Sequence, residues 1–225
     1  MHTTLLLFHL LGLALGVGGA TASDMLFIRS VYNRKVSADQ FLLIRTLSLL
    51  VMVGLVLVVL SGLGFLILVW VNEGEMPVLR SSHFQTKMVA VFFLIINGIA
   101  FHSIVFKFLK KHVDTVMPQD LLGERIWVLA LTGAVSITSW YGAFLLGFFG
   151  PIDISVWILL LLYGGLIGAG TLAAYLVLSH MFFRPVQQNV EKPSPEVDLG
   201  TVVVLAVLGF LMVGVLVMGV MYGLR

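Results

Sequence analysis

The sequence contains no cysteine. That absence excludes disulfides, thiolate-held zinc, iron–sulfur clusters and covalent attachment of a c-type haem. Charge is scarce too: 11% of the 225 residues are charged, against about 25% in a soluble domain. The six prolines all fall between long apolar runs and never inside one, as suits a residue that breaks helices. No HExxH, CxxC, Walker or GxSxG pattern occurs, so no metalloprotease, dithiol, nucleotide or serine-hydrolase motif directs the reading. No polar stretch is long enough to form a soluble domain.

What remains is oil. Hydrophobic residues make up 60% of the chain and the mean hydropathy is +1.09, which places most of the surface against lipid rather than water. Six runs reach the roughly 20 residues needed to cross a hydrocarbon core: Thr3–Ile28, Phe41–Val71, Phe84–Phe108, Ile126–Phe149, Ile154–Met181 and Thr201–Gly223. The fold class expected is all-α, a polytopic bundle forming one integral membrane domain over residues 1–225. Ala20-Thr21-Ala22 resembles a signal-peptidase site, but no lysine or arginine precedes the first run, so that span is read as uncleaved.

The net charge of +2 does not call for nucleic acid, because the basic residues sit in short loops beside the spans. Ten lie on the side opposite the N-terminus: Arg29, Arg34, Lys35, Arg45, Lys107, Lys110, Lys111, Arg125, Arg184 and Lys192. Three (Arg80, Lys87 and Arg225) lie on the N-terminal side. The positive-inside bias makes the ten-residue side cytoplasmic and puts both termini on the non-cytoplasmic side. Partners expected are the lipid bilayer and other membrane subunits or a second copy, with no nucleic acid.

Ionisable groups inside such spans are costly and mark function by default. In the third span Lys87, Leu94, Gly98 and His102 share one helical face, which makes this helix the expected wall of any site. In the first span His9, Gly12, Gly16, Gly19 and Ser23 form a small-residue face suited to close packing in lipid, with His9 on its rim. Asp24 is expected to pair with Arg29 or Arg45. Thr132, Ser136 and Ser139 of span four, and Thr171 and Tyr175 of span five, are expected to satisfy one another or backbone carbonyls. Trp140 lies near mid-membrane, where its indole N–H needs a partner. His2, His112 and His180 are expected at solvated or interfacial positions. Ser37 to Gln40 reads as a capping box opening span two.

Depth separates the candidates. His9, His83 and Lys87 lie within one or two turns of the non-cytoplasmic surface. His102 lies roughly 22 Å deeper than Lys87 at 1.5 Å per residue, too far to share one iron with His9. An outer site therefore uses His9 with His83 or Lys87, and an inner one uses His102, with Asp24, Arg45 or Tyr175 as neighbours.

A histidine early in span one (His9) and a lysine opening span three (Lys87, in KMVAVFFLIINGIAFH) resemble the layout of the HemJ-type protoporphyrinogen oxidase and copper-resistance-D-type membrane families. The likeness covers the first three spans and rests on spacing; Gly18 to Ser23 and the last two spans depart from it. It implies a compact helical bundle in a bacterial cytoplasmic (inner) membrane, holding haem b in a redox role. His9 would ligate the metal, and Lys87, His83 and His102 are the remaining candidates for cofactor binding. Two other readings stand beside this one: a transporter or proton-conducting protein using Asp24 and His102, and a structural or assembly subunit of a larger membrane complex.

Overall fold

The structure is a computed structural model that describes residues 1–33, 35–115, 119–149 and 154–183. It is all-helical, and among the described residues the only β pairing is an isolated bridge between Val36 and Val113. Five helices are long and apolar enough to cross a membrane. They are α1 (His2–Tyr32), α2 (Ala38–Glu73), α3 (Ser82–Lys111), α4 (Gln119–Phe149) and α5 (Val156–Phe183). The sixth expected span, Thr201–Gly223, lies outside the described residues.

Small residues decide how α1 meets α2. A Cβ on Gly54 would stand 2.6 Å from the Gly16 nitrogen and 2.7 Å from the Gly12 oxygen, both backbone atoms. Gly19 faces Val51 and Gly64 faces Leu5, so the pairing runs backwards along the two chains and the hairpin is antiparallel. Between lipid-soluble helices such close backbone approach replaces the missing hydrophobic drive. The turn into α2 is closed by the predicted capping box: Ser37 Oγ accepts from the Gln40 N–H, and Gln40 Oε1 accepts from the Ser37 N–H, each at 3.1 Å. Gly74 ends α2 in the left-handed conformation, φ 67°, its N–H donating to the Trp70 carbonyl, as a helix C-cap requires.

The hub is α4, not α3. Half of its apolar window is buried, against 17–22% in the other four helices, and it packs on α5, α3 and α1. It also starts seven residues before the expected Ile126. The main core gathers at the end that holds the α1–α2 link, termed the lower end here. Val36, Ile44, Leu109, Ile126 and Leu178 meet there. The Asp114 N–H donates to the Val36 carbonyl at 2.8 Å and ties the tail of α3 to that link.

His112 belongs to this end and corrects an expectation. It is 8% exposed rather than solvated, because its Nδ1–H caps the Phe108 carbonyl at 2.9 Å and so fills one of the unpaired acceptors that end a helix. Within α3 a π-helical turn covers Phe101–Val105. The extra residue rotates the last turns of the helix, so Val105, Phe108 and Leu109 turn inward.

Candidate functional site

Helix α3 packs along α4 and α5 and meets the α1–α2 hairpin through side chains of the lower core and of a smaller cluster around Leu94. The space left between the α1–α2 hairpin and α3 forms two cavities. A plug divides them: Ala20, Leu94 and Trp140, with Leu13, Val17, Val51 and Leu55 packed around. Leu13 borders the upper cavity, while Ala20, Leu94 and Trp140 border the lower.

The upper cavity, about 630 Å³, has His9 and Lys87 in its wall. That volume lies within the ~300–1,000 Å³ range of small-molecule sites. The rest of the wall is apolar, including Leu10, Val58, Phe65, Phe84 and Val91. His9 is half-buried, and its Nδ1 lies 2.9 Å from Ser61 Oγ. The Ser61 hydroxyl gives its own hydrogen to the Leu57 carbonyl at 2.6 Å. It therefore accepts from His9 Nδ1–H, and this network assigns the tautomer that leaves the lone pair on Nε2. Phe65 holds the imidazole edge-on, ring centroids 5.9 Å apart.

Lys87 reaches across to α4. Its Nζ lies 3.9 Å from where a Cβ on Gly147 would stand. Among the described residues no carboxylate pairs with it and no hydrogen bond to it is formed. His83 sits one turn above, but it is tied elsewhere: its Nε2–H donates to the Leu146 carbonyl of α4, and it does not line the cavity. Of the outer candidates, His9 and Lys87 share a compartment, and His83 fixes the top of α3 to α4.

The lower cavity, about 590 Å³, takes Asp24, Ser48, Asn97, His102, Ser136 and Trp140 among its lining residues. His102 lines it on the same face as Leu94 and Gly98, as the helical spacing predicted, and its Nε2 lies 3.1 Å from Ser48 Oγ. Asp24 does not form the expected ion pair. Oδ2 of Asp24 is buried without a hydrogen-bond partner, the Ser136 hydroxyl lies within reach of the carboxyl group, and Arg29 and Arg45 both face outward. Five residues along a helix do not bring Arg29 onto Asp24's face, since the neighbouring positions are three and four apart. Tyr175 is likewise absent from this cavity and stacks on Trp127, centroids 4.1 Å apart.

Most other intramembrane hydroxyls are internally satisfied. Thr132 and Thr171 bond back to the carbonyls of Val128 and Ile167. Ser139 pairs with Tyr163 at 2.6 Å, and Thr21 with Tyr141 at 2.7 Å. Ser61, Ser48 and Asn97 carry no mark in the sequence that sets them apart as site residues, with one exception. For Ser61 a usable signal existed: a lone serine near the upper end of α2, at the level of His9 on the antiparallel neighbour.

The donor set limits what can be held. Among the described residues no three His, Cys, Asp or Glu side chains gather at a metal-binding spacing, so a bare ion would lack the usual three or four protein ligands. One imidazole with a free lone pair, in an apolar cavity with one cation, suits instead a group that brings its own equatorial ligands and carries negative charge at its edge. Comparison with protein-family models, with curated proteins and with solved structures gave no match.

Proposed function

We propose that the chain is an integral membrane protein that binds a porphyrin of the haem b type in the upper cavity and serves a redox role. The observation that carries this reading is the His9–Ser61 bond, on the same cavity wall as Lys87. A metal-binding histidine nearly always donates its second ring N–H to a fixed acceptor, which sets the tautomer and strengthens the ligand nitrogen. Ser61 supplies that acceptor. Lys87, without a carboxylate partner among the described residues, would hold a propionate as a point charge. The apolar wall would take the macrocycle and keep water away. Bound haem would supply one-electron chemistry; His9 and Lys87 would hold it, and the apolar wall would orient it and exclude solvent. The resemblance of spans one to three to HemJ-type proteins supports the same reading.

The cavity lies toward the end where α1 begins, lined there by Leu6, His9 and Leu10, and we place that end on the non-cytoplasmic side of a bacterial inner membrane, the side that carries few lysines and arginines. A transport role would draw instead on the lower cavity, where Asp24 has no ion-pair partner among the described residues. The deciding experiment is the absorption spectrum of detergent-purified protein supplemented with haem. Wild type is expected to show a Soret band that His9→Ala abolishes and His112→Ala retains per mole of folded protein. Equal spectra for the two variants, or no Soret band in folded wild type, would reject the site.

A further inference from the structure

The lower cavity contains a buried carboxyl group with no ion-pair partner among the described residues. Asp24 stands on its wall with a buried, unpartnered Oδ2. Among the described residues no lysine or arginine lines the cavity, and His102, already bonded to Ser48, is the sole basic side chain there. A carboxyl group in an apolar setting either keeps its proton or ionises beside a compensating positive charge. Here the fold provides hydroxyls and an amide, from Ser23, Ser136 and Asn97, but no cation.

The cavity also has a side entrance. Met52 of α2 and Ile95 and Ile99 of α3 line it and are at the same time 50%, 43% and 65% exposed. The helices α2 and α3 do not pack along each other, so the opening lies between two apolar surfaces. A solute reaching Asp24 by this route must itself dissolve in lipid. The deeper wall is aromatic as well as aliphatic, with Phe27, Phe101 and Trp140.

We infer that the lower cavity is a binding site for a lipophilic organic cation, which enters laterally between α2 and α3 and places its charge against Asp24. The site is separate from the upper cavity, because the Leu13–Leu94–Trp140 plug stands between them. It does not depend on haem.

Two probes of nearly equal size and opposite sign make the test: tetraphenylphosphonium and tetraphenylborate, measured by equilibrium dialysis against the purified full chain. Wild type is expected to bind the phosphonium saturably and to show no saturable binding of the borate. Asp24→Asn should weaken phosphonium binding by about tenfold or more, the loss of roughly 1.4 kcal/mol, while His9→Ala and Lys87→Ala leave it unchanged. Gly133→Leu gives a second route that keeps the carboxylate: Gly133 lines the cavity and a Cβ there would meet nothing within 4 Å. Its added side chain should fill the space and weaken binding comparably. The inference fails if Asp24→Asn binds the phosphonium as tightly as wild type, if Gly133→Leu does so, or if folded wild type shows no saturable component.

Discussion

Ser61 decides what His9 can offer a ligand. Its hydroxyl hydrogen is committed to the Leu57 carbonyl, so its oxygen can only accept, and that holds the imidazole proton on Nδ1. Ser61→Ala removes this acceptor and leaves only the Val58 carbonyl beside the ring, so the imidazole is held less firmly. Losing the partner that orients a ligating histidine typically costs about 10–100-fold in metal affinity, and haem titration of the purified variant is expected to show a loss of that order. Ser61→Thr, which keeps the hydroxyl, is expected to stay near wild type. If alanine and threonine behave alike, the imidazole is not set by this bond. Much of this was legible from residue types, since His9 and Lys87 were expected at one level and do share a wall. What the residues did not disclose was which polar atoms are already occupied. His83 has the side chain of a ligand and is spent on a carbonyl; Asp24 has basic residues nearby in sequence, and its Oδ2 has no partner among the described residues. Partnership depends on rotation about each helix, and near a helix end a basic residue gains more from facing water than from reaching a buried carboxylate.

At the scale of elements, the α1–α2 hairpin is the rigid side of the molecule and α3 is the spaced one. The crossing leaves no room for a methyl group on Gly54, and the atoms in the way are the backbone of Gly12 and Gly16. Gly16 also seats Trp140, whose Cη2 would lie 2.2 Å from an added Cβ. Gly54→Ala should therefore push the helices apart at a cost of about 1–3 kcal/mol, as overpacking usually does. Gly62→Ala, on the same helix but facing open space, should be neutral. Thermal unfolding of the two variants in detergent checks this, and equal midpoints would contradict the crossing. The periodic glycines announced this contact because a small-residue stripe has one main physical use in lipid. The π turn at Phe101–Val105 had no such signal. It is an insertion in backbone phase, stabilised by tertiary packing of Val105 and Leu109, and periodicity alone does not contain it. The same holds for α4 as hub: its apolar content resembles that of its neighbours, and only packing shows that it has the fewest lipid-facing positions.

For the whole molecule, the surface carries the most information. Leu42, Leu63, Ile67, Phe92, Ile99, Leu161 and Leu176 are all well exposed, which in water would be an aggregating surface and in a bilayer is the solvent-matched one. Length and composition suffice for that conclusion, so five of the six expected spans were readable before any packing was known. Sidedness is a further step, and the absence of native cysteine makes it accessible, since any introduced thiol is the only one present. Glu75 lies in the turn after α2 and Thr115 beyond the end of α3, both exposed and on opposite ends of the bundle. A membrane-impermeant maleimide added to intact cells is expected to label Glu75→Cys and to spare Thr115→Cys until the membrane is opened, because the lower end carries Lys35, Lys110, Lys111 and Arg125 and such loops stay cytoplasmic. Arg225→Cys separates six spans from five. If Thr201–Gly223 crosses the bilayer, the C-terminus returns to the side of Glu75 and is labelled from outside; if it does not, Arg225→Cys is shielded like Thr115→Cys. Labelling of Thr115→Cys alone would invert the assignment and move the mouth of the upper cavity to the cytoplasmic face, where a haem site would face a reducing compartment instead.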